Sequence, residues 1–202
     1  MIRLYMSPYS QHSRRVVSLL EEAGIAYEPV IIDLGADEHN SDAYLAINPN
    51  HQVPTLIDGT VKIHESNAIL RYLCLKHDLA DWYPQDLSKR ADVEQWLDWN
   101  QSRLSSTVVD IVLNTVFMGE HGDKEAIKRG TKKLQELAPI LGNRLMDRDY
   151  LAGATPTIAD LSVASGIFQL GFADAIPVDK RIGDWFARMN ALSGFQASLP
   201  KM

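Results

Sequence analysis

Cysteine is almost absent from this sequence, since Cys74 is the only one among 202 residues. A single cysteine excludes a disulfide within the chain and favours a reducing compartment. Basic residues are also in the minority, with 20 Lys and Arg against 26 Asp and Glu, and the net charge is −6. Because no local basic patch stands out against this background, we expect no nucleic-acid partner.

Long apolar runs are missing too. The N-terminal segment has no apolar core of a signal peptide, and no stretch reaches the roughly 18 apolar residues of a membrane span. We therefore expect a cytoplasmic protein without a membrane partner. The histidines at 39, 51, 64 and 77 lack the spacing of metal ligands, so we expect no metal site. Hydrophobic residues still make up 46% of the chain, which allows a sizeable folded core.

Strand and helix signals alternate over the first 80 residues. The patterns predict strands at 2–5 and 27–32, helices at 14–23, 43–47 and 66–77, and a hairpin at 54–64 that turns at Asp58-Gly59. Gly24 is expected to end the first helix. The predicted order, β-α-β-α-β-β-α, is the thioredoxin-like arrangement.

Strand signals nearly vanish after this region. Residues 81–88 are predicted to be a linker, and amphipathic helical patterns follow at 91–117, 124–146, 157–170 and 180–192. We therefore predict an α/β domain at 1–80, followed by an all-helical domain at 89–202.

A proline motif occupies residues 48–56, which read Asn-Pro-Asn-His-Gln-Val-Pro-Thr-Leu. Pro54 begins a predicted strand, where it cannot donate to the hydrogen-bond ladder. If the Val53–Pro54 bond is cis, the N–H and C=O of Val53 can face outward and pair with the main chain of an extended peptide. The alternative is a trans proline that only starts the strand.

The next candidate is Glu65-Ser66, at the junction between the hairpin and the following helix. Ser66 is a good N-cap whose helix N-terminus attracts anions, and Glu65 would attract an ammonium group. The pair could hold both ends of an amino-acid zwitterion. The simpler interpretation is ordinary capping beside a surface charge.

Hydroxyl groups are concentrated where the first strand leads into the first helix, over residues 5–14. Hydroxyls at a helix N-terminus can stabilise an anion. The simpler interpretation makes Ser7 the N-cap, with Pro8 as the first helical residue.

Taken together, these three motifs resemble the cytosolic glutathione transferase family. The resemblance implies that Ser10 donates a hydrogen bond to the glutathione sulfur. It further implies that Val53, before Pro54, pairs with the cysteinyl main chain, and that Glu65-Ser66 binds the γ-glutamyl end.

Finer details are similar to the theta class. Ser10-Gln11 matches the start of that class, and His39 and Gln52 fall where it places groups around the glycyl carboxylate, although Gln52 replaces the more usual lysine. Residues 153–160 resemble a buried helix start of the family, with Thr157 and Asp160 as a capping box.

The resemblance implies an enzyme that uses glutathione as co-substrate, accepts a small electrophile and forms a homodimer. Tyr5, Ser7 and Ser13 are the other candidates for the sulfur hydrogen-bond donor. The electrophile is left open, because Ser102 and Ser105 replace pocket residues of some members and the chain ends soon after Phe195. A non-catalytic glutathione-binding module, or a dedicated glutathione-dependent dehalogenase or peroxidase, would fit the same motifs.

Overall fold

The computed structural model describes residues 1–200, and the chain divides into two compact units. The first unit contains Met1–Ala80 together with the segment that begins at Ala191, and the second unit is Asp81–Asn190. The predicted helical domain therefore differs from the second unit at its C-terminal end, because the last segment groups with the first unit.

A four-stranded sheet forms the centre of the first unit. Its strands are β1 (Ile2–Met6), β2 (Tyr27–Ile31), β3 (Thr55–Asp58) and β4 (Val61–His64). They lie in the order β2-β1-β3-β4, with β1 parallel to β2 and antiparallel to β3, and with β3 antiparallel to β4. The mixed sheet confirms the predicted thioredoxin-like topology.

Within residues 1–200, four α-helices belong to this unit: α1 (Gln11–Glu22), α2 (Asp42–Leu45), α3 (Ser66–Lys76) and α9 (Ser193–Ala197). Gly24 follows α1 with a φ of 63°, which a glycine adopts without steric cost. The predicted glycine stop is therefore present. The core is apolar, and its fully buried side chains include Leu4 on β1, Leu19 on α1, Leu56 on β3 and Leu70 on α3.

Helix α9 lies against α1, which explains why the end of the chain groups with the first unit. A β-carbon added at Gly194 would stand 2.5 Å from the Ser18 carbonyl oxygen and 2.4 Å from the Glu22 nitrogen, so only glycine allows this approach. The side chain of Glu22 accepts a hydrogen bond from the Gly194 N–H, and the Ser18 hydroxyl donates to Ser198 Oγ at 2.9 Å.

The second unit is helical, as predicted. Its helices are α4 (Leu87–Trp99), α5 (Ser105–Val112), α6 (Lys124–Arg144), α7 (Ile158–Leu170) and α8 (Lys180–Asn190). The side chain of Asp86 caps α4 by accepting from the N–H groups of Ser88 and Lys89, so the helix begins before the predicted end of the linker. Short π-helical segments, Asn100–Leu104 and Leu113–Phe117, flank α5 within the predicted helix at 91–117.

Helix α7 is buried on nearly all its faces and contacts α4, α5 and α8. A helix that is apolar all round belongs at the centre of a helical unit, and α7 has this position. Within residues 1–200, no helix combines the length and the apolar character that a membrane crossing requires.

Candidate functional site

The sheet register brings the three sequence motifs to one end of the first unit. Tyr5 on β1 lies opposite Thr55 on β3, and Thr55 lies opposite His64 on β4. Three segments of the chain adjoin this row of residues: residues 7–10 follow β1, Val53–Pro54 precedes β3, and Glu65–Ser66 follows β4. Antiparallel pairing explains the arrangement, since the end of one strand lies beside the start of its neighbour.

Ser10 is the N-cap of α1. Its side chain accepts a hydrogen bond from the Ser13 N–H at 3.3 Å, while its backbone carbonyl accepts from the Arg14 N–H at 2.9 Å. Ser10 is partly exposed. Because the hydroxyl oxygen acts as the cap acceptor, its hydrogen is available to donate to another group at the helix N-terminus.

The structure corrects the simpler interpretation, in which Ser7 caps the helix. Ser7 is buried, and its N–H donates to Ser13 Oγ at 3.2 Å. Ser13 is buried as well, so both side chains lie inside the unit. Tyr5 packs near Tyr44, with 6.1 Å between the ring centroids. Among the four hydroxyl candidates, Ser10 combines an N-cap position with partial exposure.

The first turns of α1 contain no acidic side chain that would repel an anion at the helix N-terminus. Gln11, the predicted neighbour of Ser10 in the site, is buried.

Burial, with a smaller contribution from the nearby Arg15 charge, lowers the pKa of His12 to about 3. His12 is partly buried, and with this pKa its ring is neutral at physiological pH. Burial also lowers the pKa of Arg15 to about 9, so this guanidinium keeps its charge at neutral pH.

The Val53–Pro54 peptide bond is cis, so the alternative of a trans proline does not apply. Val53 is buried and packs in a cluster with Ile32 and Tyr44. Its N–H and C=O have no hydrogen-bond partner among residues 1–200. A buried residue with an unpaired main chain offers an edge to which an extended peptide can bind.

The neighbouring carbonyl of Gln52 is firmly held. It accepts hydrogen bonds from the Tyr44 hydroxyl and from Asn48 Nδ2, each at 2.7 Å. Both donors also contact Thr55 Oγ1, at 3.2 and 3.0 Å. Burial raises the pKa of Tyr44, so the phenol stays protonated and can donate. The motif at residues 48–56 gave no role to Tyr44, Asn48 or Thr55, although the polar side chains of Asn48 and Thr55 within it were a visible signal.

Glu65 and Ser66 occupy the start of α3 in a different way from the predicted one. Glu65, not Ser66, takes the N-cap position, with φ 68° and ψ 108°, and Ser66 is the first helical residue. Ser66 is buried, whereas the Glu65 side chain is 57% exposed. Such a backbone conformation is rare for a residue with a β-carbon, and rare conformations are concentrated at functional sites. The exposed carboxylate beside a helix N-terminus offers partners for both charges of an amino-acid zwitterion.

The two residues predicted around a carboxylate lie in loops that are tied together. His39 is partly buried, and its Nε2 lies 3.7 Å from the Asp37 carboxylate, whereas Gln52 is exposed. The loops are joined by a hydrogen bond of 2.6 Å between Asn40 Oδ1 and His51 Nδ1. His39 therefore belongs to a loop that is anchored one residue away from Gln52.

Other reactive groups lie away from this end of the sheet. Cys74 is buried on α3, and burial raises the pKa of its thiol to about 12. Across the described part of the chain, no group of three or more His, Cys, Asp or Glu side chains is arranged to hold a metal ion.

The chain combines a thioredoxin-like unit, whose proline loop has an open edge, with an all-helical unit. Comparison with known protein families identifies the class of protein that has this combination. Residues 1–74 match the family model described as "Glutathione S-transferase, N-terminal domain". Residues 104–193 match "Glutathione S-transferase, C-terminal domain".

Curated relatives agree with these matches. Glutathione S-transferase F10 of Arabidopsis thaliana is 31% identical over 97% of this chain and 95% of the relative. Glutathione S-transferase theta-1 of Mus musculus is 30% identical over 96% of this chain and 84% of the relative. Among solved structures, human glutathione-S-transferase T1-1 has a TM-score of 0.90 and 28% identity, covering 98% of this chain and 87% of its own.

The chain belongs to the glutathione S-transferase family. Within that family it is a glutathione transferase, an enzyme that resembles both theta enzymes of mammals and F-type enzymes of plants.

Proposed function

We propose that this glutathione transferase activates the glutathione thiol through a hydrogen bond from Ser10 and directs the thiolate at a small electrophile. The observation that carries the proposal is the convergence of three features at one end of the sheet: the Ser10 cap, the unpaired edge of Val53, and Glu65-Ser66. In this proposal, Val53 pairs with the cysteinyl main chain and Glu65-Ser66 holds the γ-glutamyl end. Gln11, His39 and Gln52 complete the glutathione site, and Pro54 shapes its proline loop.

The energetic requirement is modest. A free thiol has a pKa of about 8.5, and lowering it to about 6.5 requires about 2.7 kcal/mol. A hydroxyl that donates to a charged sulfur supplies roughly 1.5–3 kcal/mol. The N-terminus of α1 adds about 0.3–1 kcal/mol. These two contributions are sufficient without a general base, so Ser10 acts as a donor and not as a nucleophile.

The chemical step is a substitution or an addition at carbon. The thiol proton passes to solvent and the sulfur lone pair forms a C–S bond. In a substitution the leaving group departs with its bonding electrons or a strained ring opens. In an addition to an isothiocyanate the electrons of the C=N π bond move to nitrogen, which takes up a proton. We further propose a theta-like class, a homodimer, a cytoplasmic location and a role in detoxification. Support for the class comes from the theta relatives and from a solved structure of human glutathione transferase theta-2, which is a complex with glutathione.

The serine role is tested by an ultraviolet titration of the bound thiolate. Ser10→Ala should keep glutathione bound but raise the pKa of the bound thiol by roughly one to two units, because a hydroxyl-to-anion hydrogen bond is lost. Turnover at neutral pH should fall about 10- to 100-fold and partly recover as the pH rises.

Ser10 also caps α1, so the control must separate the two roles. Ser10→Gly loses the same hydroxyl but weakens the cap by only a few tenths of a kcal/mol, whereas alanine costs about 0.5–2 kcal/mol. Ser10→Thr keeps the hydroxyl. Equal shifts in the Ala and Gly variants, with a midpoint near wild type in the Thr variant, would support the role. If the titration midpoint of the bound thiol is unchanged in both the Ala and the Gly variant, the hydrogen-bond donor is Tyr5, Ser7 or Ser13 and not Ser10.

A substrate panel separates the transferase from a dedicated dehalogenase or peroxidase. Alkyl halides, aryl halides, epoxides, isothiocyanates and organic peroxides are tested with glutathione. Turnover of several carbon electrophiles supports the transferase. Turnover of alkyl halides or peroxides alone identifies the dedicated enzyme, and binding of glutathione without turnover of any compound contradicts an enzyme.

A further inference from the structure

The carbonyl of Gln52 is fixed by two buried side chains. The Tyr44 hydroxyl donates from α2 and Asn48 Nδ2 donates from the following loop, each over 2.7 Å. Tyr44 is 2% exposed and Asn48 is 1% exposed, so both donors are held inside the unit. Thr55 Oγ1 lies within hydrogen-bond distance of both donors and links them to the first residue of β3.

This anchoring determines where the next N–H points. The Gln52–Val53 peptide bond is trans, because Val53–Pro54 is the cis bond of the described chain. In a trans peptide the C=O and the N–H point in opposite directions. Since the Gln52 oxygen is held by Tyr44 and Asn48, the Val53 N–H points away from them, and nothing in residues 1–200 accepts it.

We propose that Tyr44 is a positioning residue for glutathione: it holds the Gln52–Val53 peptide so that the Val53 edge meets the cysteinyl main chain. The inference rests on the proposed function, because it assumes that this edge binds glutathione. Tyr44 acts through the peptide and does not touch the sulfur, so it determines binding and not thiol activation.

Tyr44→Phe keeps the ring in its cluster and removes one of the two hydrogen bonds on the carbonyl. We expect the KM for glutathione to rise about 3- to 10-fold, the range that corresponds to one neutral hydrogen bond. The kcat and the titration midpoint of the bound thiol should stay at wild-type values, since Ser10 lies on a different segment.

Two control variants distinguish positioning from a general loss of packing. Tyr27→Phe removes an exposed hydroxyl that donates to Glu21 in the same unit, and its KM should equal that of wild type. Ser18→Ala removes a buried hydroxyl of the same unit that donates to Ser198 Oγ and takes no part in holding the Gln52 carbonyl. This variant should lose thermal stability while its KM stays near wild type.

A ligand pair tests the edge directly. S-methylglutathione is compared with its analogue that is N-methylated at the cysteinyl amide, which cannot donate to the Val53 carbonyl. The wild type should lose at least fivefold in affinity on N-methylation, and Tyr44→Phe should lose less, because its edge is no longer held. If the phenylalanine variant does not fold, Asn48→Ala, which removes the other hydrogen bond on the Gln52 carbonyl, replaces it in both measurements, and an unchanged KM there would overturn the positioning role.

Failure of the proposed function and failure of the positioning role give different results. If the wild type does not bind S-methylglutathione, the proposed function fails. If it binds, but Tyr44→Phe leaves KM unchanged, lowers kcat or shifts the thiol titration, the positioning role is overturned. Equal affinity of the wild type for both ligands overturns the edge pairing itself.

Discussion

Glu65 adopts a backbone conformation that glycine tolerates better than any residue with a β-carbon, because φ is 68° and ψ is 108°. Positions of this kind cost of order 1–3 kcal/mol and persist when the surrounding structure holds them in place. The hairpin β3–β4 before Glu65 and the buried first residue of α3 after it supply that support. The conformation places an exposed carboxylate beside the start of a helix.

At most positions a glycine variant is less stable than an alanine variant, but at Glu65 we expect the reverse order. Glu65→Ala and Glu65→Gly should both raise the KM for glutathione about 10- to 100-fold, because a charge-assisted contact is lost. Glu65→Gly should nevertheless melt about 2–4 °C above Glu65→Ala, as glycine relieves about 1 kcal/mol of strain. Calorimetry and steady-state kinetics measure the two effects.

The exposed neighbour Lys62 on β4 is the control, because Lys62→Gly should show the usual order and melt below Lys62→Ala. An alanine variant at Glu65 that is as stable as the glycine variant would show that this position is not strained. A wild-type KM in both Glu65 variants would exclude the residue from the site.

His12 makes the stability of the first unit depend on pH. Its pKa is about 3 in the folded chain, below the ordinary value of 6.5 for histidine, because of burial and the charge of Arg15. Below pH 6.5 the unfolded chain therefore binds a proton that the folded chain excludes. The corresponding stability is present above pH 6.5 and is lost as the pH falls toward 3.

We expect His12→Gln to remove this dependence. The difference in the free energy of unfolding between wild type and variant should change by up to about 2 kcal/mol between pH 7 and pH 5. Denaturant titrations at the two pH values measure the change. The exposed His77 provides the control variant, His77→Gln, and an equal change there would contradict the assignment to His12.

At the scale of elements, the start of α7 concentrates buried hydrogen bonds on one carboxylate. Asp160 is fully buried and accepts from the Leu151 N–H at 2.8 Å, the Thr157 N–H at 2.9 Å and the Trp185 indole at 2.9 Å. A further bond comes from the Thr157 hydroxyl at 3.0 Å. Burial raises the pKa of this carboxyl, and the four hydrogen bonds oppose that rise. The central helix is thus joined to α8 and to the preceding loop.

Asp160→Ala should destabilise the fold without changing glutathione binding. The loss of the cap and of several buried partners should cost about 3 kcal/mol or more, and the melting temperature should fall by at least about 6 °C. Thr157→Ser, which retains the hydroxyl, should stay near wild type. A variant with normal stability but lost activity would show that Asp160 has a chemical role instead.

Local patterns were sufficient to predict most elements but not their exact ends. The period-2 and helical patterns gave the β-α-β-α-β-β-α order, and Asp58-Gly59 located the hairpin. The start of α1 was placed too late, because Ser10, Gln11 and Ser13 are polar although the last two are buried by the fold. The Ser7 cap failed for a related reason, since two serines compete for the same helix end and tertiary packing selects Ser10.

The same limit applies to the candidate site. Residues that we propose to contact glutathione through charge or main chain, such as Glu65 and Val53, stand in recognisable motifs. Tyr44 and Asn48 act on a carbonyl four to eight residues away, and only the folded loop shows that contact.

At the scale of the whole molecule, the family resemblance implies a pair of chains. We expect a solution mass near twice the 22.6 kDa of one chain at micromolar concentration. Light scattering during size-exclusion chromatography measures this mass, and activity is assayed across the same elution peak. A mass of one chain in the active fractions would contradict the homodimer.

The packing of α9 against α1 has a consequence for how the protein folds during its synthesis. The first unit is assembled from both ends of the chain, with the whole helical unit between them. A ribosome therefore releases Ser18 and Glu22 long before Gly194, their partner, has been made. The unit that contains Ser10, Val53 and Glu65 is therefore the first to emerge, but it cannot pack Ser18 and Glu22 against Gly194 until the sequence of the helical unit has also been made.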